Sequence, residues 1–215
     1  MLRWFNCAAG HVEVKACLEA CPLGRRCLTK PTLVEISTER EWTGKPSTTQ
    51  LLNGTMNAWL KLTKDYGINP KSRAFALLGT RHHAKLEAVA KKLGLSSEIK
   101  LDGEITGIFD LLEVENNKVL LTDYKTFGSF KVAKCLGLET IGKKQWRQNP
   151  ERADMLEIEL QLNKYRIELE KQCGIKVDEL QVQITVRDGN LWSAKNSGIV
   201  EDMYLLPVKR LNDDE

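Results

Sequence analysis

The sequence predicts an α/β fold in which helices flank a mixed β-sheet. Two helical segments precede three strand-like segments, and a long amphipathic helix then separates these strands from a further alternating one. Strands and helices in this order bury their apolar faces best when the helices pack on one mixed sheet. With 215 residues and 42% hydrophobic residues, the chain can build one good core and a small appended module.

Two helices are predicted before the first strand. The first covers residues 47 to about 66, and Ser47 and Gln50 have the spacing of a capping box. The second begins at Ser72 and ends at Gly94. Apolar residues recur along the second helix with a helical period at Phe75, Leu78, Leu86, Val89 and Leu93.

Three strands are predicted next, followed by a helix and two more strands. Apolar residues alternate at 99–101 and again at 105–111, which predicts the first two strands. A turn is expected at 116–117, and the third strand covers 119–125. The long helix begins at Asn149-Pro150 and runs to about Gln172. Alternation at 180–186 and an apolar segment at 199–206 predict the two later strands.

Composition and charge restrict the function only weakly. The formal net charge of +3 is compatible with nucleic-acid binding but is too small to argue for it. No apolar run approaches the roughly 18 residues that a membrane span needs. The N-terminus also lacks an apolar stretch of the signal-peptide type, so a cytoplasmic location is expected.

Charged residues close two of the predicted strands. Asp110 ends one strand, and Asp123-Tyr124-Lys125 ends the next, where a buried strand should carry no charge. Residues i and i+2 share a face of a strand, so Asp123 and Lys125 point the same way. Carboxylates beside a cation, with the Tyr124 carbonyl between them, are suited to Mg²⁺ and phosphodiester chemistry. A lone Asp-x-Lys is more often a solvated strand face.

Two pairs on the predicted helices fit this chemistry. His83 and Glu87 are four residues apart, so they share a helix face, and an imidazole can ligate a metal. Gln161 and Tyr165 are also four apart, on the long helix. The alternatives are a surface His-Glu pair and a polar edge beside the apolar stripe.

Taken in order, these motifs resemble the RecB-type branch of the PD-(D/E)XK nuclease superfamily. That branch includes recombination nucleases, phage exonucleases and CRISPR-associated adaptation nucleases. The similarity covers residues from about 47 to 190. Its four motifs are His-x-x-x-Glu in 78–87, Gly-x-x-Asp in 107–110, Asp-x-Lys in 123–126 and Gln-x-x-x-Tyr in 161–165.

The resemblance implies a restriction-endonuclease-like sheet in a nuclease domain at 46–215, and a role for each motif residue. His83, Asp110, Asp123 and the Tyr124 carbonyl would hold Mg²⁺ or Mn²⁺, and Glu87 would support them. Lys125 would orient the attacking water or stabilise the phosphate. Gln161 and Tyr165 would position Lys125 or the DNA backbone.

The resemblance further implies a metal-dependent deoxyribonuclease. We expect an exonuclease or single-strand nuclease in phage or bacterial DNA processing. The alternative is a non-catalytic subunit of nuclease fold that binds nucleic acid in a larger repair, replication or phage complex. A structural zinc protein would explain the cysteines but not the carboxylates. DNA is the expected partner, with other replication, recombination or phage proteins as further candidates.

Residues 1–45 are predicted to form a small Cys-rich metal-binding module. Cys7, Cys17, Cys21 and Cys27 cluster there, and His11 lies among them. Four thiolates suit Zn²⁺ or an iron–sulfur cluster, and buried free cysteines are the third alternative. Relatives with an iron–sulfur cluster carry a C-terminal cysteine trio that this chain lacks, which favours zinc.

A basic segment precedes the long helix. Lys143, Lys144, Trp146 and Arg147 could contact phosphates and stack on an unpaired base. A solvated loop is the alternative interpretation of this segment.

Overall fold

A computed structural model describes residues 1–39, 41–143 and 145–213 of the chain. The chain forms two compact units, Met1–Ala84 and the part from Lys85 onward. We refer to them as unit 1 and unit 2. No helix in the described residues is both long and apolar enough to cross a membrane.

Unit 1 combines a small sheet with short helices. Its elements are β1 (Leu2–Cys7), β2 (Gly10–Glu13), α1 (Val14–Glu19), α2 (Lys30–Ser37), α3 (Thr48–Leu52), α4 (Thr55–Thr63), β3 (Tyr66–Ile68), α5 (Pro70–Ala74) and the first half of α6 (Ala76–Lys92). Strand β1 lies in the middle of the sheet, antiparallel to β2 and parallel to β3. Phe5, Leu33 and Ile36 are buried in its core together with the thiol of Cys17.

The two helices predicted in unit 1 are present, but their bounds differ from the prediction. The capping box of Ser47 and Gln50 is confirmed, yet Gly54, at φ +92°, separates α3 from α4. Tyr66 lies in a strand because it pairs with β1, a contact that local propensity cannot predict. The cap of the next helix is Asn69, whose side chain accepts the Ser72 backbone N–H.

Unit 2 is a mixed α/β structure, which confirms the predicted fold class at that level. Its elements are the rest of α6, β4 (Ser96–Asp102), β5 (Thr106–Glu115), β6 (Lys118–Phe127), α7 (Ser129–Cys135), β7 (Leu138–Gly142), β8 (Gln145–Gln148), α8 (Leu156–Cys173), β9 (Glu179–Val186), α9 (Trp192–Asn196) and β10 (Met203–Val208). The main sheet of the described residues has the order β10-β9-β6-β5-β4. Only the β6–β9 pair in that sheet is parallel.

Helix α8 packs on the main sheet and covers its core. Ile158, Leu162 and Leu169 are buried in the same cluster as the inward residues of β9. The helix begins later than predicted, because Asn149 caps a short 3-10 turn at Pro150–Arg152 rather than α8 itself. Gly174 ends it in the left-handed conformation, as the sequence predicts.

A glycine lets α8 approach the sheet closely. A Cβ on Gly107 would lie 2.4 Å from the Tyr165 ring, so only glycine leaves room for that ring against β5. The same contact fixes the part of α8 that carries the second residue of the Gln-x-x-x-Tyr pair.

Candidate active site

The site lies where β5 and β6 separate. Their ladder runs from Glu115↔Lys118 to Leu111↔Thr122, and the next residues, Asp110 and Asp123, lie beyond its last pair. There the Asp110 carboxylate accepts the Tyr124 backbone N–H at 2.6 Å. Asp110 and Asp123 are only 7% and 2% exposed. Two buried acidic residues therefore follow the last pair of one β-ladder, and their joint role as metal ligands stays a prediction.

Lys125 is held between a carboxylate and an amide. Its Nζ lies 2.7 Å from Asp123 Oδ2 and donates to Gln161 Oε1 at 2.9 Å. The Gln161 amide in turn donates to Asp123 Oδ1 at 3.1 Å and to the Tyr165 hydroxyl at 3.0 Å. The structure thus brings together all four of these predicted residues, and the Lys125 side chain keeps 22% exposure.

Glu98 is a site residue that the sequence reasoning missed. Ligand oxygens of Glu98 and Asp110 lie within 4.8 Å of each other. The register of β4 with β5 explains this, since Ser97 pairs with Leu111 and Ile99 pairs with Phe109. Glu98 adopts φ +51°, which is rare for a residue with a side chain and recurs at functional sites.

His83 and Glu87 lie on α6. Leu86 and Ala90 pack against Leu111 and Tyr124 of the sheet. His83 belongs to the part of α6 in unit 1, and Glu87 belongs to the part in unit 2. The role of His83 as a metal ligand stays a prediction.

Glu87 forms an ion pair with Lys91, one turn further along α6. The carboxylate within ligand distance of Asp110 is that of Glu98 instead. Nothing in the described residues joins Glu87 to that group, and its supporting role stays a prediction.

The surroundings of Tyr124 show how much negative charge gathers at the site. The pKa of the Tyr124 hydroxyl is raised, first by its burial and then by the charges of Glu113 and Asp110. A cation near these residues would relieve that charge.

The four N-terminal cysteines are neighbours in unit 1. The pKa of the Cys17 thiol is raised mainly by burial and further by the charges of Cys21, Cys27 and Cys7. Cys7 and Cys27 line one cleft of about 520 Å³ together with His11. Within the described residues, however, no three of these sulfurs lie within 4.8 Å of one another. The predicted convergence on a single point is therefore not reached.

The basic segment forms a hairpin instead of a loop. Trp146, on β8, packs over Gly198, where a Cβ would lie 2.6 Å from the indole. Arg147 forms an ion pair with Glu139 across the hairpin. Lys143 is exposed near the tip, and Lys144 lies outside the described residues. Packing of Trp146 leaves less of its ring for an unpaired base than the sequence suggests.

The comparisons with known proteins give no family. No protein-family model matches the chain, and no curated protein is significantly similar to it. The chain is similar to the solved structure of SSO0001, with 14% identity over 86% of this chain and 77% of that one and a TM-score of 0.43. A likeness this distant assigns no function, which has to be inferred from the side chains of the site.

Proposed function

We propose that the chain is a divalent-metal-dependent nuclease of the PD-(D/E)XK type that hydrolyses DNA phosphodiester bonds. In this proposal unit 2 is a restriction-endonuclease-like domain. The observation that carries the proposal is the partly exposed Lys125 ammonium, held between the buried Asp123 carboxylate and the Gln161 amide. A positioned cation beside a carboxylate suits phosphoryl chemistry, which needs charge neutralisation at the phosphate.

The donor set fits a hard divalent cation. Glu98 and Asp110 offer carboxylate oxygens within 4.8 Å of each other, and we propose Asp123 and the Tyr124 carbonyl as further ligands. We also include His83 because it is part of the His-x-x-x-Glu motif. When bound, Mg²⁺ or Mn²⁺ would supply an activated water and neutralise charge on the phosphate.

The protein's own residues would orient the attacking water and neutralise charge on the phosphate. Lys125, with its partly exposed ammonium, is placed to contact a phosphate oxygen or the attacking water. Gln161 holds that ammonium through its carbonyl oxygen and is itself held by the Tyr165 hydroxyl. Asp123 anchors the lysine through its Oδ2, 2.7 Å from the ammonium. Loss of any member of this chain should misplace the ammonium, and sub-ångström placement matters for catalysis.

The test is cleavage of labelled single- and double-stranded DNA in Mg²⁺, Mn²⁺ or EDTA. Asp123→Asn keeps the size of the side chain and should abolish cleavage, while Glu115→Gln, on an exposed part of β5, should not change it. Wild-type activity in Asp123→Asn would contradict the proposal. DNA binding without cleavage by the wild type would instead indicate the non-catalytic subunit.

We also propose a metal site at the N-terminal cysteines. Cys7, Cys17, Cys21 and Cys27 are near neighbours, and the exposed Cys27 and the partly exposed Cys7 and Cys21 leave room for the sulfurs to converge on an ion. Zinc is the preferred metal and an iron–sulfur cluster the alternative. Metal analysis and visible absorption of anaerobically purified protein distinguish them, with Cys173→Ser as the control and Cys27→Ser as the variant that should lose metal. Absence of bound metal in the wild type would contradict the proposal.

A further inference from the structure

Two aromatic side chains project from short helices of unit 2 into solvent. Phe130, on α7, is 71% exposed, and Trp192, on α9, is 80% exposed. The same helices bury their small apolar residues, Val132 and Ala194, in the core of unit 2. The helices are therefore held by their small residues, and their largest apolar surfaces point away from the core. An aromatic ring left in water gives up much of the gain that burial would provide.

Helices α7 and α9 both follow the carboxyl ends of neighbouring strands in the main sheet. Strand β6 carries Lys125 and ends two residues before α7, and β9 runs parallel to β6 and leads to α9. The Asp188 carboxylate accepts hydrogen bonds from the Ser129 backbone N–H at 2.6 Å and from its hydroxyl at 2.8 Å. The Arg187 N–H donates to the Phe127 carbonyl at 2.7 Å. Both aromatic residues thus follow the carboxyl ends of adjacent parallel strands, where open sheets bind ligands.

Lysines lie on both helices that carry the exposed rings. Helices α7 and α9 contain lysines and no acidic residue, and Lys131 of α7 pairs with Glu157 of α8. The Lys134 ammonium lies 5.0 Å from the centroid of the Phe130 ring. Trp146 anchors the β7–β8 hairpin to Gly198, just after α9, which adds the exposed Lys143 to the same region. Exposed rings among lysines suit bases and phosphates together, whereas a protein-binding core is depleted of lysine.

We propose that Phe130 and Trp192 form a stacking platform that binds unpaired bases of single-stranded DNA next to the nuclease site. This inference rests on the proposed function for the position of the scissile bond. The rings bind bases without sequence preference, and the lysines of α7 and α9 contact the backbone. The platform selects for unpaired DNA, because a ring can stack on a base only where the base is not already stacked in a duplex.

The chain length sets the reach of the platform. Lys125 and Phe130 are five residues apart, so their backbones are at most about 17 Å apart. At a spacing of about 3.4 Å per nucleotide in a stacked strand, roughly five nucleotides at most span that distance. A strand of twelve nucleotides is therefore long enough to extend from the nuclease site to Phe130.

The experiment measures binding of a fluorescein-labelled oligothymidylate of twelve nucleotides and of a twelve-base-pair duplex, both in EDTA so that no cleavage occurs. The double variant Phe130→Ala/Trp192→Ala should bind the twelve-nucleotide strand at least roughly tenfold more weakly than the wild type. Its affinity for the duplex should be unchanged. The control Val114→Ala removes an apolar side chain that is 70% exposed on β5 and should change nothing.

Trp192→Phe retains a stacking surface and should bind within about threefold of the wild type. It also gives a direct signal, because the fluorescence quenching seen on DNA binding in the wild type should be smaller in Trp192→Phe. Unchanged binding of the twelve-nucleotide strand by the double variant overturns the platform. Equal loss on the duplex, tighter binding of the wild type to oligouridylate, or binding to anionic vesicles that requires the two rings would also overturn it.

The stacking platform and the nuclease proposal can each be refuted without refuting the other. If the wild type binds single strands through the two rings but cleaves no DNA with Mg²⁺ or Mn²⁺, the nuclease proposal is wrong and the platform stands. If the wild type cleaves DNA and the double variant keeps full affinity, the platform is wrong and the nuclease proposal stands.

Discussion

Replacing Glu98 by glutamine should stabilise the metal-free protein and weaken its response to metal. Glu98 and Asp110 offer ligand oxygens within 4.8 Å of each other. When both carry a charge, their repulsion at that separation and an effective dielectric constant near 20 is about 3.5 kcal/mol. Other contacts of these side chains offset part of it, so we expect a net gain of about 1–2 kcal/mol in Glu98→Gln. For a chain of this size the melting temperature should rise by about 2–8 °C in EDTA.

Addition of a divalent metal should make the wild type more stable than Glu98→Gln. A metal at one hundred times its dissociation constant stabilises the wild type by about 2.7 kcal/mol. The glutamine variant has lost an anionic ligand and should gain much less.

The assay is thermal unfolding in EDTA and across a Mn²⁺ titration. Glu115→Gln, at the far end of β5, serves as the control and should differ from the wild type by less than about 0.5 kcal/mol in both conditions. A variant that is less stable than the wild type in EDTA, and that keeps the full metal response, would refute the role assigned to Glu98.

Three further changes test the surroundings of the site. Lys125→Met should reduce cleavage by at least about 10²-fold. The rise in melting temperature on metal addition should persist, because the ammonium is proposed to contact phosphate or water and not the ion. Loss of that rise would contradict this role. Gly107→Ala should lower the free energy of unfolding by about 1–3 kcal/mol in denaturant titrations, because the new Cβ would meet the Tyr165 ring. The pKa of Glu168 is lowered, first by its hydrogen bond with Lys164, so its charge stabilises the fold above the unfolded pKa and stops doing so as the pH falls through the folded pKa. Glu168→Gln should therefore cost about 1 kcal/mol at pH 7, and urea titrations should show that difference closing in acid.

The parts of the fold that sequence predicted best have strong local signals. The alternation at 180–186 became β9, with every second residue buried. The capping box at Ser47 and the left-handed Gly174 are also local features, because each involves hydrogen bonds within a few residues. Asp123 and Lys125 were paired by strand periodicity, and Gln161 and Tyr165 by helix periodicity. Only the family resemblance predicted that the two pairs belong to one site.

The errors come from long-range contacts and unusual backbone. Tyr66 looks helical but pairs with β1, more than 60 residues earlier. Glu98 was missed because it stands in β4 with a positive φ, and nothing in a sequence marks such a residue unless it is glycine or asparagine. The contact of Trp146 with Gly198, far along the chain, was also not predicted, and its role toward DNA stays a prediction. The exposure of a side chain and its pairing with a distant residue depend on tertiary structure, which a sequence pattern does not reveal.

The parallel pairing of β6 with β9 has a consequence for synthesis. Asp123 and Lys125 leave the ribosome well before Val182 and Ile184, their partners in the ladder, and before Gln161 on α8. Until those residues emerge, β6 presents an open edge and its lysine has no amide to hold it. In the proposed nuclease, a nascent chain that already contains every predicted metal ligand should therefore stay inactive until α8 and β9 have been made.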